Sequence, residues 1–176
     1  TLLCVFISSC VFIPFLFFSR PVRVGDGSEY YAMAVGLSET HRPYLTQAGW
    51  VHYDELYRSN AIPGITGTTD LQAFAPELIA SGGQDFPHFW FYSLGAAFFA
   101  EIADYAGLNL SLHNAFLLWH CALLAMLLII ALWSFKWRGL IAVLLLTFFS
   151  PAFWYLDKVH TENFPFTLPS TAVLLI

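Results

Sequence analysis

The sequence has little charge: only 11% of its 176 residues are Asp, Glu, Lys or Arg, whereas soluble globular domains carry about 25%. Basic residues are fewer than acidic ones, and the formal net charge is −5. Nucleic-acid binding needs a basic surface, which this charge balance does not favour. The three cysteines lie inside apolar runs and have no metal or redox spacing. Composition therefore argues against nucleic-acid binding and against cysteine-based metal or redox sites.

Hydrophobic residues, by contrast, make up 58% of the chain, and 18% of it is aromatic. This predicts an all-α integral membrane protein, a polytopic helical bundle with a long outer loop that contains interfacial helices. The sequence starts at Thr1, in an apolar segment, and stops at Ile176, in another. We therefore expect an N-terminal part of one larger membrane domain that is inactive as a fragment.

Four apolar segments are predicted to span the membrane, the last of them cut short. They cover residues 2–19, 112–135, 139–156 and 164–176. For the first, a cleaved signal peptide is the alternative. The segment is followed by Arg20-Pro21-Val22-Arg23 rather than by a small-residue cleavage site, which favours an uncleaved helix.

Residues 20–111 form the predicted outer loop and hold most of the acidic residues. Residues 28–39 should be helical, since Asp26 and Glu29 have the spacing of a capping box. Residues 46–60, with their Trp and Tyr side chains, suggest a segment lying against the membrane interface.

A second interfacial helix is predicted at residues 88–106, because its uncharged run is short for a span. Its pattern is amphipathic. The apolar face contains Phe91, Leu94, Phe98, Ile102 and Tyr105, and the other face contains Ser93, Ala97, Glu101 and Asp104.

The basic turn Lys136-Trp137-Arg138 sets the predicted orientation, since basic turns stay in the cytoplasm. The long loop and the polar turn at 157–163 then share the outer face. If residues 88–106 crossed the membrane instead, Asp26 and Glu162 would lie on opposite sides, and no common site could form.

The order of these features resembles that of a known family. An apolar helix is followed by Asp26-Gly27-Ser28-Glu29-Tyr30-Tyr31, an amphipathic segment, a span, the basic turn, a span ending in Ser150-Pro151 and a polar turn with an acid. This is similar to the N-terminal part of the GT-C superfamily, which includes protein O-mannosyltransferases and the bacterial lipid A aminoarabinose transferase. The Lys-Pro-Pro motif of some relatives is absent, and Phe86-Pro87-His88 stands in its region.

The resemblance implies an inverting glycosyltransferase that uses a polyprenyl-phosphate-linked sugar on the outer side of a bacterial inner membrane or plasma membrane. It places functional acids early in the first outer loop and just before the fourth span. Asp26 matches the first place, with Glu29 as a less well matched second acid. Glu162 matches the later place, with Asp157 as its competitor. The acceptor is a lipid, a glycan or a protein.

The chemistry of such a transfer needs a base for the acceptor's proton, which a carboxylate supplies. It also needs positive charge near the leaving phosphate, from an arginine or from a divalent metal, held here by Asp26 and Glu162. Further substrate-binding candidates, toward the donor and membrane lipids, are Arg20, Arg23, His88, Asp157 and His160. Each has a structural alternative: a helix cap, a solvated turn or a snorkelling anchor.

Two other function classes stay open. A transporter or flippase-like protein for a lipid-linked substrate would carry polar residues inside its spans. Here the spans hold His113 and His120, seven residues apart on one helix face, which we interpret as hydrogen-bonded packing partners. The third class is a non-catalytic membrane subunit whose outer loop binds a partner.

Overall fold

The computed structural model describes residues 1–22, 25–62 and 89–175. Every regular element within those ranges is an α-helix, so the all-α prediction is confirmed for this part of the chain. The helices are α1 Leu2–Phe18, α2 Gly27–Thr40, α3 Gln47–Arg58, α4 Phe91–Tyr105, α5 Leu112–Phe149, α6 Ala152–Tyr155 and α7 Asn163–Leu175.

Local signals set the ends of the loop helices close to their predicted places. Helix α2 ends where His41 takes a left-handed conformation (φ 57°), which closes the last turn ahead of Pro43. Helix α3 begins after Thr46, whose hydroxyl accepts a hydrogen bond of 3.1 Å from the Gly49 N–H. Asp26 is the N-cap residue of α2, but its side chain makes no capping hydrogen bond. The capping-box prediction is therefore right in position and wrong in the bond.

Helix α5 covers 38 residues in two helical halves, which meet at the non-helical residue Lys136, where φ is 54° and ψ is −144°. Residues eight apart in a straight helix are separated by about 12 Å. Yet a Cβ built on Gly139 would lie 2.3 Å from the Ala131 carbonyl oxygen. The two halves of α5 therefore turn back on each other, as the basic turn predicted.

The second half of α5 ends at Phe149, so the prediction of one span over 139–156 is wrong at its end. The Ser150 hydroxyl accepts a hydrogen bond from the Ala152 N–H at 3.2 Å. Pro151 then precedes the separate short helix α6. A serine hydroxyl that bonds the backbone two residues on, followed by a proline, ends the longer helix at this point.

By length and composition, one helix in the described residues can cross a membrane, and it is α5, Leu112–Phe149. The helices Leu2–Phe18 and Phe164–Leu175 are also apolar but shorter. Helix α1, with 17 residues, would be about 26 Å long, against about 30 Å of hydrocarbon in a bilayer.

The chain divides into two compact units. The first unit comprises the described residues of Thr1–Ser19, Leu117–Asp157 and Thr161–Ile176. Its core is apolar and is built from α1, α5 and the segment after α5. The core residues are Cys4, Phe12, Leu117, Leu124, Leu127, Leu128, Ala131, Leu140, Val143 and Leu156.

Polar side chains in this first unit bond to the backbone. The Ser8 hydroxyl donates to the Cys121 carbonyl at 2.7 Å, and His120 Nδ1 lies 3.0 Å from the Leu156 carbonyl. His120 is thus a buried hydrogen-bonded packing residue, as the sequence indicated.

The second unit comprises the described residues of Arg20–Phe116 and Lys158–His160. Helix α2 lies at its centre and is buried from Gly27 to Leu37. Helices α4 and α3 both pack against it.

The two faces of α4 differ sharply in exposure. The face toward the core of this unit is small or tyrosine-bearing: Tyr92, Ser93, Ala96, Ala97 and Ala103 are buried. All five residues of the predicted apolar face are exposed, from 36% at Leu94 to 96% at Tyr105. Helix α4 therefore covers α2 with one side and presents an aliphatic and aromatic stripe on the other.

Candidate functional site

Asp26 stands at the start of α2, in an exposed turn that Gly25 makes possible. Gly25 has φ of +50°, a conformation that glycine adopts without strain. The Asp26 carbonyl accepts the N–H of Glu29 at 2.9 Å and of Tyr30 at 3.3 Å. The Asp26 side chain is exposed, so its carboxylate can meet a ligand.

Residues 159–160, from the late polar turn, pack against this same place. A Cβ on Gly25 would lie 2.8 Å from His160 Nε2, and a Cβ on Gly27 would lie 2.7 Å from the Val159 carbonyl oxygen. Only glycines on both sides of Asp26 allow so close an approach. The late turn and the start of α2 therefore form one cluster, in which an imidazole lies beside the residue preceding the carboxylate.

Tyr92, from α4, completes the floor of the cluster through a hydrogen bond with the His160 backbone. Its ring is fully buried and lies edge-on to Tyr30, with centroids 5.2 Å apart. Burial raises the pKa of Tyr92 well above its ordinary value, as do the neighbouring Tyr31 and Tyr30, while the His160 backbone bond lowers it. The phenol therefore stays neutral at physiological pH.

Beneath the exposed turn, α2 is held by buried polar contacts. The Ser93 hydroxyl donates to the Tyr30 carbonyl at 3.0 Å. The Tyr31 hydroxyl and His113 Nδ1 are 2.7 Å apart, and both side chains are buried. Burial, and to a lesser extent Tyr53, raises the pKa of Tyr31 well above its ordinary value. His113 is thus a hydrogen-bonded packing residue, as the sequence indicated.

Removing the Tyr31 hydroxyl tests how much this pair contributes. We expect Tyr31→Phe to lower the free energy of unfolding by about 1–3 kcal/mol, because buried His113 Nδ1 then loses this partner. Thermal unfolding of the full-length protein in detergent measures the change. The matched control is Tyr105→Phe, whose ring is 96% exposed. Equal melting temperatures for the two variants would show that the pair contributes nothing.

Glu29, the second predicted acid, lies one turn into α2 and is 6% exposed. It sits between the exposed turn and the buried tyrosines of the second unit. A carboxylate at such depth is poorly placed to exchange protons with a bulky acceptor in solvent. Its position suits support of the cluster better than direct contact with substrate.

The remaining predicted site residues are distributed over both units. Arg20 is exposed in the second unit. Asp157, in the first unit, is half-buried and accepts a bond from the Ser19 hydroxyl at 3.4 Å. Glu162, also in the first unit, is exposed and follows His160 by two residues. Arg23 and His88 lie outside the described residues.

Sequence reasoning missed the aromatic support of this cluster. Tyr31 and Tyr92 belong to it, and each ring contacts Phe116 at about 5.2–5.3 Å between centroids. The adjacent pair Tyr30-Tyr31 directly after Glu29 was the available signal, since paired tyrosines in a short buried helix need partners. Their ring partners Tyr92 and Phe116 lie in other helices, far along the chain, and a local sequence pattern does not identify them.

The arrangement of possible metal ligands gives no support to a metal site in the described residues. Among residues 1–22, 25–62 and 89–175, no three His, Cys, Asp or Glu side chains gather as metal ligands do. Joint binding of a metal by Asp26 and Glu162 remains a prediction from the sequence.

Comparison with protein-family models, with curated proteins and with solved structures found no match to this chain. An exposed carboxylate with an imidazole nearby suits proton transfer to or from a bound hydroxyl or amine. They equally suit hydrogen bonding to a polar headgroup.

Proposed function

We propose that this chain acts in a GT-C-type polytopic membrane glycosyltransferase. It moves a sugar from a polyprenyl-phosphate donor to a lipid, glycan or protein acceptor on the outer face of the membrane, with inversion. The observation that carries the proposal is the packing of residues 159–160 against Gly25 and Gly27. A shared outer site requires the early acid and the late polar turn to lie together, and the contacts of Val159 and His160 with the start of α2, inside the second unit, support this.

The same packing supports an interfacial place for α4 rather than a spanning one. If α4 crossed the membrane and α5 crossed it twice, the start of α2 and the late turn would lie on opposite sides, so the close approach of residues 159–160 to Gly25 and Gly27 favours an interfacial α4. The exposed stripe of α4, which includes Phe98 and Ile102, suits the level of the lipid headgroups. The break at Lys136 suits two crossings by α5, with the basic turn in the cytoplasm.

In the proposed reaction Asp26 is the general base. Its carboxylate takes the proton of the acceptor hydroxyl or amine as that atom attacks the anomeric carbon of the donor. The bond from the anomeric carbon to the phosphate oxygen breaks, and polyprenyl phosphate leaves with the electron pair. A single displacement inverts the configuration at that carbon.

The other candidates assist this step. His160, beside Gly25, is placed to hydrogen-bond the acceptor or a phosphate oxygen. Arg20, in the same unit as Asp26, neutralises the leaving phosphate through its planar donors. Tyr92 and Glu29 keep the start of α2 in place beneath them.

A transporter for a lipid-linked substrate remains the runner-up. It would need polar groups inside the crossing helices that are ready to bind the substrate. His113 and His120 are occupied by Tyr31 and by the Leu156 carbonyl, which favours the transferase.

Release of polyprenyl phosphate is the experiment that separates the two functions. The full-length protein is reconstituted in liposomes with polyprenyl-phosphate hexose or aminopentose donors and an extract of envelope acceptors. A transferase yields free polyprenyl phosphate and a glycosylated acceptor. Movement of the intact donor between leaflets, with no polyprenyl phosphate formed, would support the transporter and contradict the proposal.

A further inference from the structure

An apolar groove in the first unit lies between the second half of α5 and α7. Its volume is about 570 Å³, within the range of small-molecule sites. The groove is lined by Leu127, Phe135, Arg138, Gly139, Ala142, Val143, Leu146, Phe166, Pro169, Ser170, Val173 and Leu174. Arg138 is the charged residue of this lining.

The lining residues show how the groove runs. Beyond Arg138, the second half of α5 contributes positions from Gly139 to Leu146, and α7 contributes positions from Phe166 to Leu174. These stretches of eight and nine residues correspond to about 12–14 Å of helix. Arg138 precedes the stretch of α5, so the cation lies at the end of the groove that adjoins the Lys136 turn.

The position of Arg138 at one end of the groove indicates which kind of ligand the groove binds. A groove filled by another apolar helix would gain nothing from a guanidinium at its mouth. An acyl chain with a phosphate at one end matches both features, because hydrocarbon covers the apolar walls and Arg138 meets the phosphate with two parallel hydrogen bonds. Basic pockets between helices on the cytoplasmic side bind anionic headgroups in this manner.

We propose that this groove binds an acyl chain of an anionic phospholipid, with the lipid phosphate held by Arg138. The site is separate from the cluster at Asp26 and does not depend on the transferase activity. It requires only that α5 and α7 lie in the bilayer, with the basic turn at the headgroups of the cytoplasmic leaflet.

Lys136 supplies a matched control. It is exposed in the same turn and carries the same charge, but it does not line the groove. General attraction between a basic turn and an anionic surface would use Lys136 and Arg138 alike. Specific binding of a lipid phosphate in the groove would use Arg138 and not Lys136.

The test uses the full-length protein in nanodiscs and a phosphatidylglycerol that carries a photoreactive diazirine on one acyl chain. Cross-linked peptides are mapped by mass spectrometry, with unlabelled phosphatidylglycerol or phosphatidylcholine as competitor. We expect labelling of the α7 residues that line the groove, displaced by phosphatidylglycerol. Arg138→Gln should lower the apparent affinity about tenfold, and Lys136→Gln should leave it unchanged.

A second variant, Ala142→Phe, fills the groove and should abolish the labelling without removing charge. Size-exclusion profiles like that of wild type show that the variants fold. Three results would overturn the proposal: equal competition by phosphatidylcholine, equal losses in Arg138→Gln and Lys136→Gln, or no labelling of the groove in the wild type. The last would mean that protein, not lipid, covers it.

Discussion

Replacing Asp26 by asparagine is expected to lower the rate of sugar transfer by about 10²–10⁴-fold. A positioned general base contributes about this factor, and an amide cannot take the acceptor's proton. The side chain is exposed and asparagine has the same shape as aspartate, so the isosteric change should leave the fold intact. The release of polyprenyl phosphate by the full-length protein in liposomes measures the effect.

The same assay distinguishes catalysis from binding. Loss of a base lowers kcat and kcat/KM together, whereas loss of a ligand contact raises KM. Asp104→Asn is the matched control, since Asp104 is an exposed acid of the same unit at the end of α4, and we expect wild-type turnover from it. Turnover of Asp26→Asn equal to the control, at equal expression, would remove Asp26 from the mechanism.

The second large effect is expected at Gly139, on the stability of the α5 turn. A Cβ there would lie 2.3 Å from the Ala131 carbonyl oxygen and 2.9 Å from the Phe135 Cβ. Both neighbours are held by the helix backbone and cannot move aside without separating the two halves of α5. Gly139→Leu should therefore destabilise the protein by about 3 kcal/mol.

Thermal unfolding of the full-length protein in detergent measures this loss. The control is Leu145→Phe, which adds bulk to the same half of α5 at a position that is 52% exposed. We expect the control to melt like wild type. A Gly139→Leu variant that is as stable as the control would show that the halves of α5 do not pack this closely.

Much of the fold was predictable because local patterns decide it. The uncharged runs and the basic turn located α1, α7 and both halves of α5. The helical spacing of apolar residues predicted the apolar face of α4. That face is exposed because the small residues of the opposite face pack closely on α2. The end of α5 was misplaced because the Ser150 hydroxyl accepts the Ala152 N–H, a local bond that competes with helix continuation.

The candidate site was predictable in part. The sequence indicated Asp26 and His160 as site residues by their charge and position. In the structure His160 and the start of α2 belong to one cluster, in contact at Gly25 and Gly27. What the sequence could not provide were the long-range partners, such as His113 for Tyr31 and the His160 backbone for Tyr92. Nor could it reveal that Glu29 is buried, because burial of a charge within an acidic motif depends on which helices pack around it.

Topology is the most direct test of the claim that the early acid and the late polar turn share the outer face. Single cysteines are placed at Ser59, Trp137 and Thr161 in full-length protein lacking its native cysteines, and labelled from outside with a membrane-impermeant thiol reagent. The account predicts labelling at 59 and 161 and none at 137. Labelling at 59 and 137 but not at 161 would mean that α4 crosses the membrane, and the shared site would not exist.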